Sequence, residues 1–208
     1  MYVPPAFARH ETGELFDLVE AHSFGLLVSQ HDGQPTATHL PLIVERDSPP
    51  QGRLLGHFAR ANPQWQSLEG QDVLCVFSGP HAYVSPTWYG RANMVPTWNY
   101  VAAHVVGRCT LLDEDASAEV LTRMVATYER SLPAPWSIDA GSEFFQRLAR
   151  QIVAFRLDIA RIEGKWKLGQ NHPAEVRTSA AAHLAEQADP QAQQIAALMW
   201  RTLEGPGK

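Results

Sequence analysis

The stretch that decides the fold is FGLLVSQHDGQPTATHLPLIVE, residues 24–45. Two β-rich runs within it, Phe24–Gln30 and Thr36–Glu45, lie on either side of the turn signal HDGQP. Short strands joined by tight turns pair in antiparallel fashion. Two further runs, Arg53–Phe58 and Asp72–Ser78, continue the pattern across other turn signals. The sequence therefore predicts an antiparallel meander rather than a sheet in which strands alternate with helices.

Alternation of apolar and polar residues returns twice after this meander. Along Tyr100–Leu112 the odd-numbered positions are mostly apolar, and Val153–Ile162 repeats the arrangement, so at least six strands are expected. Apolar residues at helical spacing predict a helix before the strands, two between the last strands and two at the end: residues 11–22, 117–130, 142–151, 174–187 and 190–203. The predicted fold class is α+β, with a closed or partly closed antiparallel barrel at its centre.

The composition sets limits on size, partners and compartment. A chain of 208 residues with 45% hydrophobic residues can bury one sizeable core. Its net charge of -5, with 17 Lys and Arg, predicts no broad cationic surface for DNA. Cys75 and Cys109 lie in apolar runs without a CxxC pattern, which is typical of reduced core residues. No apolar run has the length of a signal peptide or a membrane span, so we expect a cytoplasmic protein without membrane association.

Several common catalytic signatures are missing from the sequence. It contains no GxSxG, HExxH, GxxxxGK[ST] or strand-linked GxGxxG pattern. These absences argue against hydrolase, zincin, P-loop and Rossmann chemistry, and no catalytic residues can be assigned.

One candidate site follows the third predicted strand, in GHFARANPQW, residues 56–65. Asn62-Pro63 is a helix-start signal, so Arg60 and Asn62 would lie at a helix N-terminus, where free N–H groups favour an anion such as phosphate. The alternative is that Asn62 only caps the helix and Arg60 is solvated.

Three histidines on or beside predicted strands, His39, His57 and His104, form a second candidate, a metal or haem site. Structural histidines with hydrogen bonds are the alternative, and we favour it because no spacing places the three on a shared face. We therefore predict no metal.

Two further segments carry aromatic and basic residues. The stretch Ser78–Asn99, rich in Gly, Pro and aromatics, is predicted as a long loop that forms a ligand wall, caps a barrel end or makes a dimer interface. Lys165 and Lys167 flank Trp166 after the last strand and would contact a phosphate or only solvate a turn.

Taken together, the motifs MYVPPAF, GHFARANPQW, VFSGPHAYVSPTWY, VPTWNYVAAHVVG and KWKLGQN, in that order across residues 1–171, resemble those of the PaiB family. The pair SGPHAYVSPTWY and VPTWNY is the specific part of this resemblance. The family's last motif is usually KLSQN, so Gly169 stands here in place of a hydroxyl-bearing residue.

The resemblance implies an FMN-binding split β-barrel, related to pyridoxamine-phosphate oxidases and small flavin reductases, that works as a homodimer with the cofactor in a cleft between subunits. It implies a split-barrel domain over residues 1–171 and a C-terminal helical extension over residues 172–208. Candidate FMN contacts in one subunit are His57, Arg60 and Asn62 for the phosphate or ribityl chain, and His39, Leu40 and Pro41 for the edge of the ring. Candidates from the second subunit are Trp98, Asn99, Lys167 and Gln170.

The resemblance also implies a role as a negative transcriptional regulator. Two alternatives share the fold, namely an FMN-dependent oxidoreductase and a haem-binding or haem-degrading protein. DNA binding follows from the resemblance alone, because the sequence shows no helix-turn-helix pattern and its last two predicted helices carry only Arg177 and Arg201 as basic residues.

Overall fold

A computed structural model describes residues 1–204. The chain divides into two compact units. The first comprises Met1–Leu15, Ser78–Ala103 and Glu163–Lys208, and the second comprises Phe16–Phe77 and His104–Ile162. No helix in the described part of the chain is long and apolar enough to cross a membrane.

Within residues 1–204, eight strands form one antiparallel sheet, which confirms the predicted α+β class. The strands are β1 Ala8–Arg9, β2 Phe24–His31, β3 Gln34–Pro41, β4 Ile43–Glu45, β5 Arg53–Ala59, β6 Asp72–Val84, β7 Thr97–Leu111 and β8 Ile152–Lys167. Their order is β3-β2-β6-β7-β8-β5-β4, and β1 pairs with β8. The first hairpin pairs Phe24 with Pro41 and His31 with Gln34, as the HDGQP turn predicts.

The described part of the chain also forms five α-helices and three short 3₁₀ helices. The α-helices are α1 Thr12–Ala21, α2 Glu114–Glu129, α3 Glu143–Ala149, α4 Ala174–Ala185 and α5 Pro190–Leu203. The 3₁₀ helices are Pro5–Phe7, Pro63–Ser67 and Pro86–Tyr89. Asn62 caps the second of these by accepting a hydrogen bond from Gln64 N. The five predicted helices are confirmed, with boundaries that differ by three residues or fewer.

The second unit buries both faces of the pairing between β5 and β8. On one face the fully buried side chains are Leu54, Phe58, Phe155, Leu157 and Ile159. On the other face α2 covers a smaller apolar cluster made of Ile43, Leu55, Val120, Met124 and Ala154. Burial of β8 on both faces explains why Ala154, at a position predicted to be polar, is fully buried.

The single strand predicted over Thr36–Glu45 is two strands, β3 and β4, that separate at Leu42. Pro41 has no N–H to continue a ladder, and a proline inside a strand is tolerated only at its end or edge. The next N–H, of Leu42, leaves the hairpin and donates to Ser23 O at 2.9 Å. The chain then enters β4, which pairs with β5.

The long loop predicted over Ser78–Asn99 is wrong at its beginning, because β6 continues to Val84. The prediction followed Gly79 and Pro80, which usually interrupt strands. Beyond them the side chains alternate, with Ala82 and Val84 buried and Tyr83 46% exposed. Only Ser85–Pro96 connects β6 to β7.

Helices α4 and α5 both belong to the first unit and pack against each other. Asp189 caps α5 through a hydrogen bond to Gln191 N, and Pro190 occupies its first turn. Buried residues of the pair include Ala180, Leu184, Ile195 and Met199. The predicted domain boundary at residue 171 stays a prediction. The last four residues of the predicted C-terminal extension, 205–208, lie outside the described part of the chain.

Candidate functional site

The ten residues predicted to contact the cofactor fall into two groups, one in each unit. His39, Leu40, Pro41, His57, Arg60 and Asn62 belong to the second unit. Trp98, Asn99, Lys167 and Gln170 belong to the first.

The group in the second unit is organised by a buried amide, that of Gln64, which is 0% exposed. Its Nε2 donates to Ser29 Oγ at 2.8 Å and to Thr36 O at 3.0 Å, and its Oε1 accepts from Thr38 Oγ1 at 2.5 Å. Asn62 Nδ2 donates to the same Thr38 hydroxyl at 2.9 Å. These bonds join the 3₁₀ helix to β2 and β3 and form a hydrogen-bonded corner around Gln64.

Arg60 lies on the surface of this corner and is engaged with the backbone. Its Nε donates to Arg150 O at 2.7 Å, and its Nη2 donates to Ile152 O at 2.9 Å. The helix that follows is a short 3₁₀ turn, too short for the dipole effect of a long α-helix. Contact of Arg60 and Asn62 with a phosphate stays a prediction that rests on their remaining N–H groups.

His57 and His39 differ in their surroundings. The half-buried His57 ring lies beside α2, with Nδ1 3.2 Å from Met124 Sδ, and burial lowers the pKa of this imidazole. His39 is exposed on β3 and stacks on the Phe24 ring with 5.8 Å between ring centroids. Leu40 is buried and Pro41 is half-buried. Within residues 1–204 no three His, Cys, Asp or Glu side chains form a group that could hold a metal ion, and His104 has other interactions.

The group in the first unit centres on Trp98, which is 54% exposed on β7. Its ring lies 6.1 Å from the His81 ring and 6.0 Å from the Tyr83 ring, the latter edge-on. Sequence reasoning placed His81 and Tyr83 in a loop and missed their role beside Trp98. Their i, i+2 spacing was the available signal, since such residues share one face of a strand.

A cation lies beside Trp98. Lys167 Nζ donates to Trp98 O at 2.8 Å and also to Thr97 Oγ1. Burial, and to a smaller extent the charge of Lys165, lowers the pKa of Lys167. The Lys165 ammonium lies 5.5 Å from the centroid of the Tyr2 ring and 5.2 Å from that of Tyr100. An ammonium has three N–H donors, so Lys167 retains one for an anionic or carbonyl oxygen.

Asn99 and Gln170 bond to other parts of the protein and do not line the surface around Trp98. Asn99 is 2% exposed, and its Nδ2 donates to Met199 Sδ at 3.4 Å on α5. Gln170 stabilises its own turn, because its Oε1 accepts from Leu168 N at 2.8 Å and its Nε2 donates to Trp166 O at 2.7 Å. The turn includes Gly169 at φ +80°, a conformation that glycine adopts without strain.

Comparison with known proteins identifies the family. The model of the family described as "Putative FMN-binding domain" matches residues 1–161. The chain is 38% identical over 202 residues to the Bacillus subtilis PaiB protein, named "Protease synthase and sporulation protein PAI 2", and the match covers 96% of each chain. The chain belongs to the PaiB family of FMN-binding domains. A fungal relative, "Uncharacterized protein AN0679" of Emericella nidulans, is 26% identical, with 82% of this chain and 84% of the relative covered.

Solved structures show that the PaiB-family chain has a split-barrel fold. The FAD and heme binding protein from Mycobacterium smegmatis is similar with a TM-score of 0.60 at 16% identity, covering 78% of this chain and 74% of that one. The flavocytochrome Anf3 from Azotobacter vinelandii is similar with a TM-score of 0.58 at 19% identity, covering 77% and 69%. At such identities the likeness concerns the fold alone.

The family and the fold support a flavin as the cofactor of this chain. The donor set around Trp98 fits such a group. An exposed indole offers a flat surface for an aromatic ring, and the spare N–H of Lys167 offers a charged donor for an oxygen of the same ligand. In the corner around Gln64, Arg60 uses two of its five N–H donors and Asn62 one of its two amide N–H donors, so both side chains retain donors for a phosphate or a ribityl hydroxyl.

Proposed function

We propose that this chain is an FMN-binding regulator of the PaiB type, in which a homodimer holds FMN between its subunits. The observation that carries this proposal is the exposed Trp98 ring with the Lys167 ammonium fixed on its carbonyl. An exposed aromatic residue suits a ligand that is both aromatic and anionic when it lies beside a cation that has no acidic partner within residues 1–204. FMN has both properties, and when bound it supplies a redox-active ring.

In this proposal the two groups of candidate residues act from different subunits. In one subunit, Arg60 and Asn62 on the corner around Gln64 contact the phosphate or ribityl chain. His57 on β5 contacts the same part of the ligand. His39 and the backbone beside Leu40 and Pro41 border the ring. Trp98 and Lys167 come from the other subunit. Asn99 and Gln170 contribute indirectly, because they position the backbone next to Trp98 and Lys167.

The first experiment is a titration of the purified protein with FMN, followed by flavin absorbance and fluorescence. We expect Trp98→Ala to weaken binding by roughly 5- to 150-fold, because stacking of a base on an aromatic side chain contributes about 1–3 kcal/mol. Trp136→Ala is the matched control, since Trp136 is 50% exposed but lies in the connection between α2 and α3. A wild-type protein that is colourless and takes up no FMN refutes the proposal.

A second titration tests Lys167 with two ligands, FMN and riboflavin. If the ammonium contacts the phosphate, Lys167→Met weakens FMN binding by roughly tenfold, as expected for a charged hydrogen bond, and leaves riboflavin unaffected. If it contacts the ring, both ligands lose affinity equally. Unchanged affinity for both ligands would exclude Lys167 from the site.

The homodimer is tested by light scattering on a size-exclusion column. We expect a mass twice the 23.1 kDa of the chain, and the FMN content should correspond to one flavin per chain. A monomer that binds FMN with full affinity would contradict the shared cleft.

The regulatory role rests on similarity to the Bacillus subtilis protein, whose name refers to protease synthesis and sporulation. With a net charge of -5 we propose that regulation depends on the flavin and on protein contacts more than on DNA, and that the protein is cytoplasmic, as its two buried free thiols suggest. Anisotropy of labelled duplex DNA at low salt should show no saturable binding below about 10 μM. Tight, sequence-dependent binding would show instead that the chain itself reads DNA.

A further inference from the structure

Phe24, the first residue of β2, presents its aromatic ring to the surface of the second unit. The side chain is 68% exposed, more than any other aromatic side chain of this unit in the part of the chain that the structure describes. Gly25 and Leu27, which follow on the same strand, are buried. Because successive residues of a strand face opposite sides of the sheet, Phe24 faces away from the core and contributes little to its packing.

The register of the first hairpin places two of the candidate ring contacts beside Phe24. Phe24 pairs with Pro41, and Leu26 pairs with His39. Residues directly opposite each other in an antiparallel pair lie on the same face, with Cβ atoms about 4.5–5.5 Å apart. The Phe24 ring also lies nearly parallel to the exposed His39 ring, at an angle of 22° and with 5.8 Å between the centroids. Phe24, His39 and Pro41 therefore form one continuous surface, the hairpin-end surface, where β2 begins and β3 ends.

The chemistry of the hairpin-end surface indicates which part of a flavin it suits. Two nearly parallel rings and a proline form a largely apolar surface, which suits a planar aromatic group. The imidazole of His39 adds a hydrogen-bonding nitrogen at the edge of that surface. None of the three residues is a lysine or an arginine, so the surface favours the ring of the flavin over its phosphate.

We propose that Phe24 is a flavin-binding residue, and that its ring packs against the isoalloxazine beside His39 and Pro41. The inference rests on the proposed function and adds to it a ring contact that the sequence motifs did not mark. Packing of the two rings removes apolar surface of both from water, and most of the Phe24 side chain is available for this contact because it is exposed.

The experiment compares the wild type with Phe24→Ala and Phe24→Tyr in titrations with two ligands. One ligand is FMN, and the other is lumiflavin, which has the isoalloxazine ring but neither the ribityl chain nor the phosphate. We expect Phe24→Ala to weaken the binding of both ligands by the same factor, roughly 5- to 150-fold, as for a base stacked on an aromatic side chain. Phe24→Tyr keeps the aromatic ring and should bind both ligands as the wild type does.

Phe144→Ala is the matched control. Phe144 is 52% exposed on α3 of the same unit, so its replacement also removes an exposed ring and should leave both affinities unchanged. If Phe24→Ala does not fold, Phe24→Leu takes its place, since leucine retains the apolar bulk and removes only the aromatic ring.

The outcomes separate this inference from the proposed function. A wild type that binds no FMN refutes the proposed function, whereas a wild type and a Phe24→Ala variant that bind FMN equally well overturn only the inference. A loss confined to FMN would place Phe24 against the ribityl chain or the phosphate and would overturn the ring contact. Light scattering tests the other possible occupant of this surface, a second copy of the chain. If Phe24→Ala dissociates into monomers without flavin, Phe24 is a subunit contact and the inference is wrong.

Discussion

Replacing Gln64 by leucine should lower the stability of the protein sharply, although Gln64 touches no proposed ligand. The side chain is fully buried and makes three hydrogen bonds, to Ser29 Oγ, Thr36 O and Thr38 Oγ1. At about 1 kcal/mol net for each, Gln64→Leu should reduce the free energy of unfolding by about 3 kcal/mol. This corresponds to a change of roughly 150-fold in the equilibrium constant.

The assay is urea denaturation at 25 °C, followed by far-UV circular dichroism. Gln66→Leu is the matched control, because Gln66 lies in the same 3₁₀ helix but is exposed, and its effect should stay within about 0.5 kcal/mol. Equal effects of the two substitutions would refute the reasoning, since the buried amide would then contribute no more than an exposed one. The variant should also bind FMN less tightly, because the Thr38 hydroxyl that donates to Gln64 also accepts from Asn62.

Three further predictions concern stability and reactivity. A Cβ on Gly107 would lie 2.3 Å from a backbone oxygen of β8, so Gly107→Ala should reduce the free energy of unfolding by about 3 kcal/mol and lower the melting temperature. Gly13→Ala is the control and should leave the melting temperature unchanged, because no atom lies within 4 Å of its added Cβ. Burial lowers the pKa of His57 in the folded state, so between that pKa and 6.5 the unfolded state binds more protons. Stability should therefore fall as the pH drops below about 6.5, and His57→Gln should reduce this dependence; equal slopes in both proteins would contradict it. Burial also raises the pKa of both thiols, that of Cys109 to about 12, so neither Cys75 nor Cys109 should react with a disulfide reagent until the protein is denatured, and rapid reaction of the native protein would show that they are accessible.

Much of the fold could be predicted from local patterns. Helix α5 begins and ends where its apolar spacing predicts, over Pro190–Leu203. The strand prediction failed where local signals and tertiary pairing disagree, as at Gly79 and Pro80 inside β6. The sheet overrides the turn preference of these residues, since tertiary context commonly outweighs local propensity in strands.

The sequence motifs predicted which residues belong to the candidate site, but they did not predict the hydrogen bonds that these residues make. The sequence placed Trp98 and Lys167 in two separate motifs, and the structure joins them through a hydrogen bond from Lys167 Nζ to Trp98 O. It could not show that Gln170 bonds within its own turn, nor that Asn99 lies buried against α5. The first depends on the conformation of the turn after β8, and the second on how α5 packs against β7.

The sequence alone was enough to predict an antiparallel α+β flavoprotein. The strand and cap residues predicted the fold class, and the PaiB motifs predicted the flavin. Hydrophobic periodicity and turn chemistry are local properties, and they survive in the sequence as readable patterns. Only the tertiary structure decided which polar groups remain available to a ligand. Hydrogen bonds between residues far apart in the chain occupy two of the five N–H donors of Arg60, one of the two amide N–H donors of Asn62 and two of the three of Lys167. A sequence does not record which partners its polar atoms have found.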